Sequence, residues 1–253
     1  MKEYVKLIKE GSIGIIEFFH PQSNSLPGNI LNKLAENIKN AGEDDSINVI
    51  ILRSGGNRAF CAGASFEELI SINNEKEGEQ FFSGFANVIN AARTCPKFII
   101  GRIQGKAVGG GVGMAAATDY CFATKFAAIK LSELAIGIGP FVVGPAVERK
   151  TGTSAYSALT INATKWFDAE WAREKGLYTE VYENEDEMEQ AIKNLSYSLS
   201  NSNPEAMKEL KRIMWKGTEN WNQLLIERAK NSGKLVLSDF TKKAINKFKE
   251  KNS

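Results

Sequence analysis

Apolar positions repeat along this chain with two different periods. Ile13 to Phe19 (IGIIEFF), Val49 to Leu52 (VIIL), Phe98 to Ile103 (FIIGRI), Tyr120 to Ala123 and Ala127 to Leu131 are short apolar runs, most rich in β-branched or aromatic residues. Such runs predict strands, and VIIL, with no polar alternation, predicts one buried on both faces. Between them Ile30, Leu31, Leu34, Ile38 and Ala41, and later Phe81, Phe82, Phe85, Val88, Ile89 and Ala92, recur at helical spacing. Asn29 stands where the first of these helices needs an N-cap, and Cys95-Pro96 closes the second. The alternation predicts βαβ units around a parallel sheet, an α/β fold.

After Phe141 the strand signal stops. Helical patterns cover Val142 to Lys150, Ser154 to Ile161, Asp168 to Lys175, Glu185 to Leu199, Pro204 to Lys216 and Trp221 to Ser232. An amphipathic basic helix, Ser238 to Lys251, closes the chain. The pattern divides the protein into an α/β core over residues 1–200 and a C-terminal helical subdomain over residues 201–253.

Of the 253 residues, 43% are hydrophobic and 25% charged, which is ordinary for a soluble globular protein. A formal net charge of +2 offers no global electrostatic case for nucleic acid. No apolar run approaches the roughly 20 residues that span a bilayer. The opening MKEYVKLIKEGS lacks the apolar core of a signal peptide, so no membrane partner is expected. Three cysteines, Cys61, Cys95 and Cys121, without CxxC spacing argue against a disulfide framework or a zinc site. They point to a reducing cytoplasm. With His20 as the single histidine, most Ser-His-Asp and His-metal schemes fall away.

The densest motif is Gly105 to Ala117, GKAVGGGVGMAAA, which follows the Phe98–Ile103 strand and reads as a loop opening a helix. It has three readings. Small residues let a helix pack closely on a sheet. Gly111-Val112-Gly113-Met114-Ala115-Ala116 matches the GxGxxA of dinucleotide-binding loops, although the strand ends several residues too early. Last, a bare N–H at a helix start is unpaired and lies at the positive end of the helix dipole, so it can receive an anion. An oxyanion hole usually wants two such donors. A second candidate lies in Arg58 to Phe66, RAFCAGASF, where small residues again crowd a loop after a strand. Two such loops lie at the carboxyl edge of one parallel sheet, where α/β folds bind ligands.

AFCAGASF, GKAVGGGVGMAAATDY and LSELAIGIGP, in that order and with HPQSNSL upstream, resemble the crotonase, or enoyl-CoA hydratase/isomerase, superfamily. The resemblance runs from about Ile13 to the C-terminal helix and implies a spiral core of ββα repeats with a helical C-terminal subdomain. It also implies an acyl-CoA thioester substrate, with no metal or redox cofactor. The thioester oxygen is expected on the backbone N–H groups of Cys61 and Gly110, which stabilise an enolate. Glu133 is the implied acid/base. Ala59, Ala62, Gly63, Ala64, Gly109 and Phe141 are implied substrate contacts, as are Phe248 and Lys251, with Lys249 beside them, at the CoA tail. Homotrimers or hexamers are the implied assembly, with Trp215 and Trp221 in the helical subdomain or at a subunit interface.

The chain departs from the family at two positions. A second glutamate, common in hydratases three residues after the central oxyanion glycine, is replaced by Gly113. A further acid of the thioester hydrolases, eight residues after Glu133, is replaced by Phe141. A single carboxyl suits a base that moves one proton, as in Δ3,Δ2-enoyl-CoA isomerisation, while the family as a whole favours hydration. A non-catalytic acyl-CoA-binding or protein-binding homologue and a nicotinamide-dependent Rossmann enzyme complete the alternatives. Read alone, Glu133 is a surface carboxylate on a turn, and the C-terminal lysines form a solvated face. Ser65 is a helix N-cap with Glu68 as its capping-box partner. Cys61 is a small residue that matters through its N–H, and His20 is structural.

Overall fold

The computed structural model describes residues 2–252, with side chains through Lys247. In chain order the elements are β1 (Tyr4–Glu10), β2 (Ile13–Phe19), β3 (Ser25–Leu26), α1 (Gly28–Glu43), β4 (Val49–Ser54), β5 (Gly63–Ala64), α2 (Phe66–Ile70), α3 (Glu75–Thr94), β6 (Phe98–Ile103) and β7 (Ala107–Val108). There follow α4 (Gly110–Ala116), β8 (Tyr120–Thr124), β9 (Ile129–Lys130), a 3-10 turn at Glu133–Ile136, α5 (Gly144–Ile161), α6 (Ala169–Glu174), β10 (Glu180–Tyr182), α7 (Glu185–Ser200), α8 (Pro204–Met214), α9 (Trp221–Leu235) and α10 (Asp239–Asn252).

The main sheet runs β1-β2-β4-β6-β8-β10. Its β1–β2 pair is antiparallel, and β2, β4, β6, β8 and β10 are parallel neighbours. Side chains alternate across a strand, so the apolar run of β4 serves both faces. Ile50 and Leu52 join Ile16, Phe18 and Ile99 in the main core, with Leu34 and Ile38 of α1 and Val88 and Ile89 of α3. Val49 and Ile51 turn the other way, with Ile15, Ile100 and Phe122, and are covered by Met188 and Ile192 of α7.

Three expectations change. The strand signal does not end at Phe141: β10 pairs in parallel with β8 through Glu180 to Tyr182, a run too short to show a period. Pro27, in extended conformation, rather than Asn29, caps α1. Asn29 lies inside the first turn, where its Oδ1 accepts the Ile30 N–H at 2.9 Å. The Ala127–Leu131 run narrows to β9, which pairs with β7 outside the main sheet. The two helices expected over 142–161 are present as α5, which is split at Gly152, where a φ of +74° breaks the helical path.

The segment after residue 200 shares the main core. Trp215, Trp221, Leu225 and Ala229 sit in the same apolar cluster as the sheet residues. Helix α9 approaches α3 so closely that a Cβ on Gly78 would lie 2.6 Å from the Gly233 Cα. No described helix is long and apolar enough to cross a membrane.

Candidate active site

Four loops leave the carboxyl ends of β2, β4, β6 and β8 and form two small parallel pairs, β3–β5 and β7–β9. An isolated parallel bridge between Cys61 and Ala107 ties these pairs together. The upstream HPQSNSL loop braces them. Asn24, at φ +56° and nearly fully buried, donates from Nδ2 to the carbonyls of Gly55 (3.1 Å) and Ala59 (3.0 Å). His20 belongs to the same brace, since its N–H donates to Asn24 Oδ1 at 2.7 Å. Ser65 caps α2 by accepting the Glu68 N–H at 3.3 Å, and the Glu68 carboxylate accepts the Gly28 N–H at the start of α1.

Beside these loops lies a cavity of about 970 Å³. Ala62, Gly63, Ala64, Gly109, Gly110, Glu133 and Phe141 all line it. The structure therefore brings together seven of the residues singled out in the sequence. Phe81, Phe82 and Phe85 of α3 and Val142 and Val143 supply apolar wall, and Phe240, Lys243 and Lys247 of α10 stand at its margin. The pattern of α3 placed these phenylalanines in a buried stripe; nothing in their spacing marked them as a ligand wall. Phe248 and Lys251 lie outside the described side chains.

Two expected contacts are placed differently. Ala59 does not reach the cavity, and its carbonyl is held by Asn24. Cys61 is fully buried and also off the cavity wall. Its N–H, expected to face substrate, donates to the Lys106 carbonyl at 3.4 Å, and its own carbonyl accepts the Val108 N–H at 2.9 Å. The parallel bridge to Ala107 consumes this stretch of backbone. Burial also pushes the Cys61 thiol up to about 12, which removes a thiolate nucleophile at neutral pH.

The backbone at Ala64, three residues on, is oriented differently and lines the cavity. The Ser65 N–H donates to Leu26 across β3 at 2.9 Å. Successive N–H groups of an extended strand point to opposite sides, so the Ala64 N–H turns away from β3. Gly110 opens α4, where a first-turn N–H has no intrahelical partner. The preceding Gly109 has φ +51°, a conformation that favours glycine, and a Cβ there would lie 2.8 Å from Glu133 Oε1. The carboxyl group thus faces the backbone of the glycine loop directly. The GxGxxA stretch lies buried within α4, so it forms no open phosphate-binding loop.

Some surface of Glu133 reaches solvent, but its carboxyl end is enclosed, and Oε2 is buried with no hydrogen-bond partner. Burial raises its pKa to about 7, against a smaller opposing effect of a backbone hydrogen bond. Between the ordinary glutamate value of 4.5 and about 7 the folded protein holds a proton the unfolded chain has lost. Stability therefore falls as pH rises through that window, and the full penalty stands above it. Glu133→Gln is expected to be more stable than wild type at about pH 8 by roughly 1–3 kcal/mol. The gap should close at about pH 4 in urea melts; a variant no more stable than wild type at either pH contradicts the buried, unpartnered carboxyl.

The position of the missing second acid is filled. A Cβ on Gly113 would lie 2.5 Å from Val143 Cγ1, so no larger side chain fits without moving Val143. Among the described residues no group of three or more His, Cys, Asp or Glu side chains is placed to hold a metal ion.

The profile of the enoyl-CoA hydratase/isomerase family matches residues 8–253. A Bacillus subtilis (strain 168) protein named "Probable enoyl-CoA hydratase" is 25% identical over 249 residues, covering 98% of this chain and 96% of that protein. Human mitochondrial 3-hydroxyisobutyryl-CoA hydrolase is 30% identical over 157 residues, 59% of this chain and 41% of that protein. Mouse mitochondrial methylglutaconyl-CoA hydratase is 30% identical over 200 residues, 78% of this chain and 63% of that protein. Among solved structures, an enoyl-CoA hydratase from Bacillus halodurans superposes with a TM-score of 0.89 at 25% identity, covering 96% of this chain and 99% of that one.

Proposed function

Because the chain belongs to the enoyl-CoA hydratase/isomerase family, we propose that its cavity binds an enoyl-CoA thioester and moves protons on the enolate through Glu133. The carrying observation is the buried carboxyl end of Glu133, with its unpartnered Oε2, facing the Gly109–Gly110 loop inside an apolar cavity. The N–H groups of Ala64 and Gly110 are the proposed oxyanion donors. In a 3-enoyl thioester, the carboxylate takes a proton from the α-carbon. Electron density moves onto the carbonyl oxygen, where the two N–H groups stabilise it. The same carboxyl then returns the proton to the γ-carbon, leaving the double bond conjugated with the thioester. One acid/base suffices for this cycle, which fits the filled space at Gly113.

Hydration is the second reading, favoured by the names of the relatives. There Glu133 alone would activate water and deliver its proton to the α-carbon. The two readings separate in one experiment, in which the protein is incubated with crotonyl-CoA and with a 3-enoyl-CoA while the conjugated thioester absorbance is followed. Gain from the second substrate marks isomerisation, and loss from the first marks hydration. Absence of both, with Glu133→Gln leaving CoA binding unaltered, gives the site to a binding protein instead.

Assembly into an oligomer belongs to the same reading. Helix α8 leaves Leu210, Ile213 and Met214 exposed at helical spacing. A monomer at micromolar concentration by light scattering would remove this part.

A further inference from the structure

Two lysines share one indole beside the cavity. Lys106 lies just before β7 and Lys130 in β9; the register pairs Val108 with Lys130, and an antiparallel bridge pairs Ile129 with Phe167. Alternation along these strands sets Lys106, Val108, Lys130 and Trp166 on one face. Lys106 Nζ stands 4.8 Å and Lys130 Nζ 4.4 Å from the Trp166 ring centroid. The two ammonium groups are thus held within about one Debye length of each other. Among the described residues neither has a carboxylate within ion-pairing distance. Lys130 is held below the usual amine range, first by burial and then by the Lys106 charge. An aromatic face attracts cations but cannot neutralise two of them.

Lys130 also lines the cavity, and its carbonyl accepts the Gly109 N–H at 2.9 Å, which puts β9 against the glycine loop. Val108 and Thr164 line the same wall. Of the pair only Lys130 lines that wall, and Lys106 adds its charge from their shared contact with Trp166; like charges so gathered without a carboxylate partner can receive an anion. We propose that Lys106 and Lys130, resting on Trp166, form an anion subsite at the cavity wall that receives a negatively charged oxygen group of the thioester ligand. The group is a carboxylate on the acyl chain or a phosphate of the CoA. This subsite rests on the thioester-binding reading above.

The test uses the full chain and the variants Lys106→Met, Lys130→Met and the double, since methionine keeps an apolar stem while removing the charge. Calorimetry measures butyryl-CoA, glutaryl-CoA and butyryl-pantetheine, which carries no phosphate. If the anion is an acyl carboxylate, wild type binds glutaryl-CoA more tightly than butyryl-CoA, and the double variant loses that preference, roughly tenfold. If it is a CoA phosphate, both CoA thioesters weaken together by a similar factor and butyryl-pantetheine is unaffected. The subsite is overturned if no ligand responds to the lysines, or if butyryl-pantetheine weakens as much as the rest. A wild type that binds none of the thioesters overturns the functional reading and the subsite together, whereas binding that ignores both lysines overturns the subsite alone.

Discussion

Glu133→Gln is expected to lower turnover by about 10²–10⁴-fold, the usual worth of a positioned acid/base. Glutamine keeps the shape of glutamate but cannot accept a proton at neutral pH, so the thioester should still bind while the proton stays on carbon. The wild-type profile follows from the raised pKa. The reactive form for α-proton removal is the carboxylate, so kcat/KM should climb with pH through about 7 and level off above it. That acid limb should vanish in the variant. The enclosure that destabilises the charged carboxyl is the same enclosure that makes it a stronger base, so the variant is expected to gain stability as it loses activity. Steady-state rates across pH, measured beside urea melts, check both at once. Activity within about tenfold of wild type at every pH would remove Glu133 from the proton path.

The amino-acid pattern carries much of this site because its recognition rests on short contiguous motifs. Gly109, Gly110 and Glu133 lie in stretches whose composition already points to backbone donors and a carboxylate, and the structure sets them around one cavity. Which N–H of the Cys61–Ala64 stretch turns inward is not written there. Pairing decides it, because the bridge to Ala107 engages Cys61 and the Ser65 bond to Leu26 turns Ala64 the other way. The missing acid at Gly113 is visible as a letter, but its replacement by Val143 is a contact thirty residues away in the chain. Lys106, Lys130 and Trp166 are also scattered, and only the register of β7, β9 and the Phe167 bridge unites them. For the fold, VIIL reads correctly as a two-faced strand because both periods of burial are satisfied there. Three-residue β10 escapes because so short a run shows no period.

Lys211→Met is expected to destabilise the fold by about 3–5 kcal/mol, the scale for breaking a buried ion pair from one side. The side chains of Lys211 and Asp119 are 2% and 3% exposed, and Lys211 Nζ lies 2.8 Å from Asp119 Oδ2. The lysine also donates to the Lys97 carbonyl at 2.7 Å. Asp119 accepts the Ile99 N–H at 2.8 Å and the Trp215 indole N–H at 2.7 Å. This network joins α8 to the starts of β6 and β8, so it ties the segment after residue 200 to the sheet. Removing the ammonium leaves a charged carboxylate enclosed with two neutral donors, which cannot replace the lost attraction. The double variant Lys211→Met with Asp119→Asn should recover part of the loss, because the stranded charge is gone, while the single amide oxygen can accept from only one of the Ile99 and Trp215 N–H groups that now use separate carboxylate oxygens. Urea unfolding of the two single variants and the double gives the coupling directly. A single-variant loss under about 1 kcal/mol would mean that the pair behaves like an exposed one and that apolar packing of Trp215 and Trp221 alone holds the helices in place.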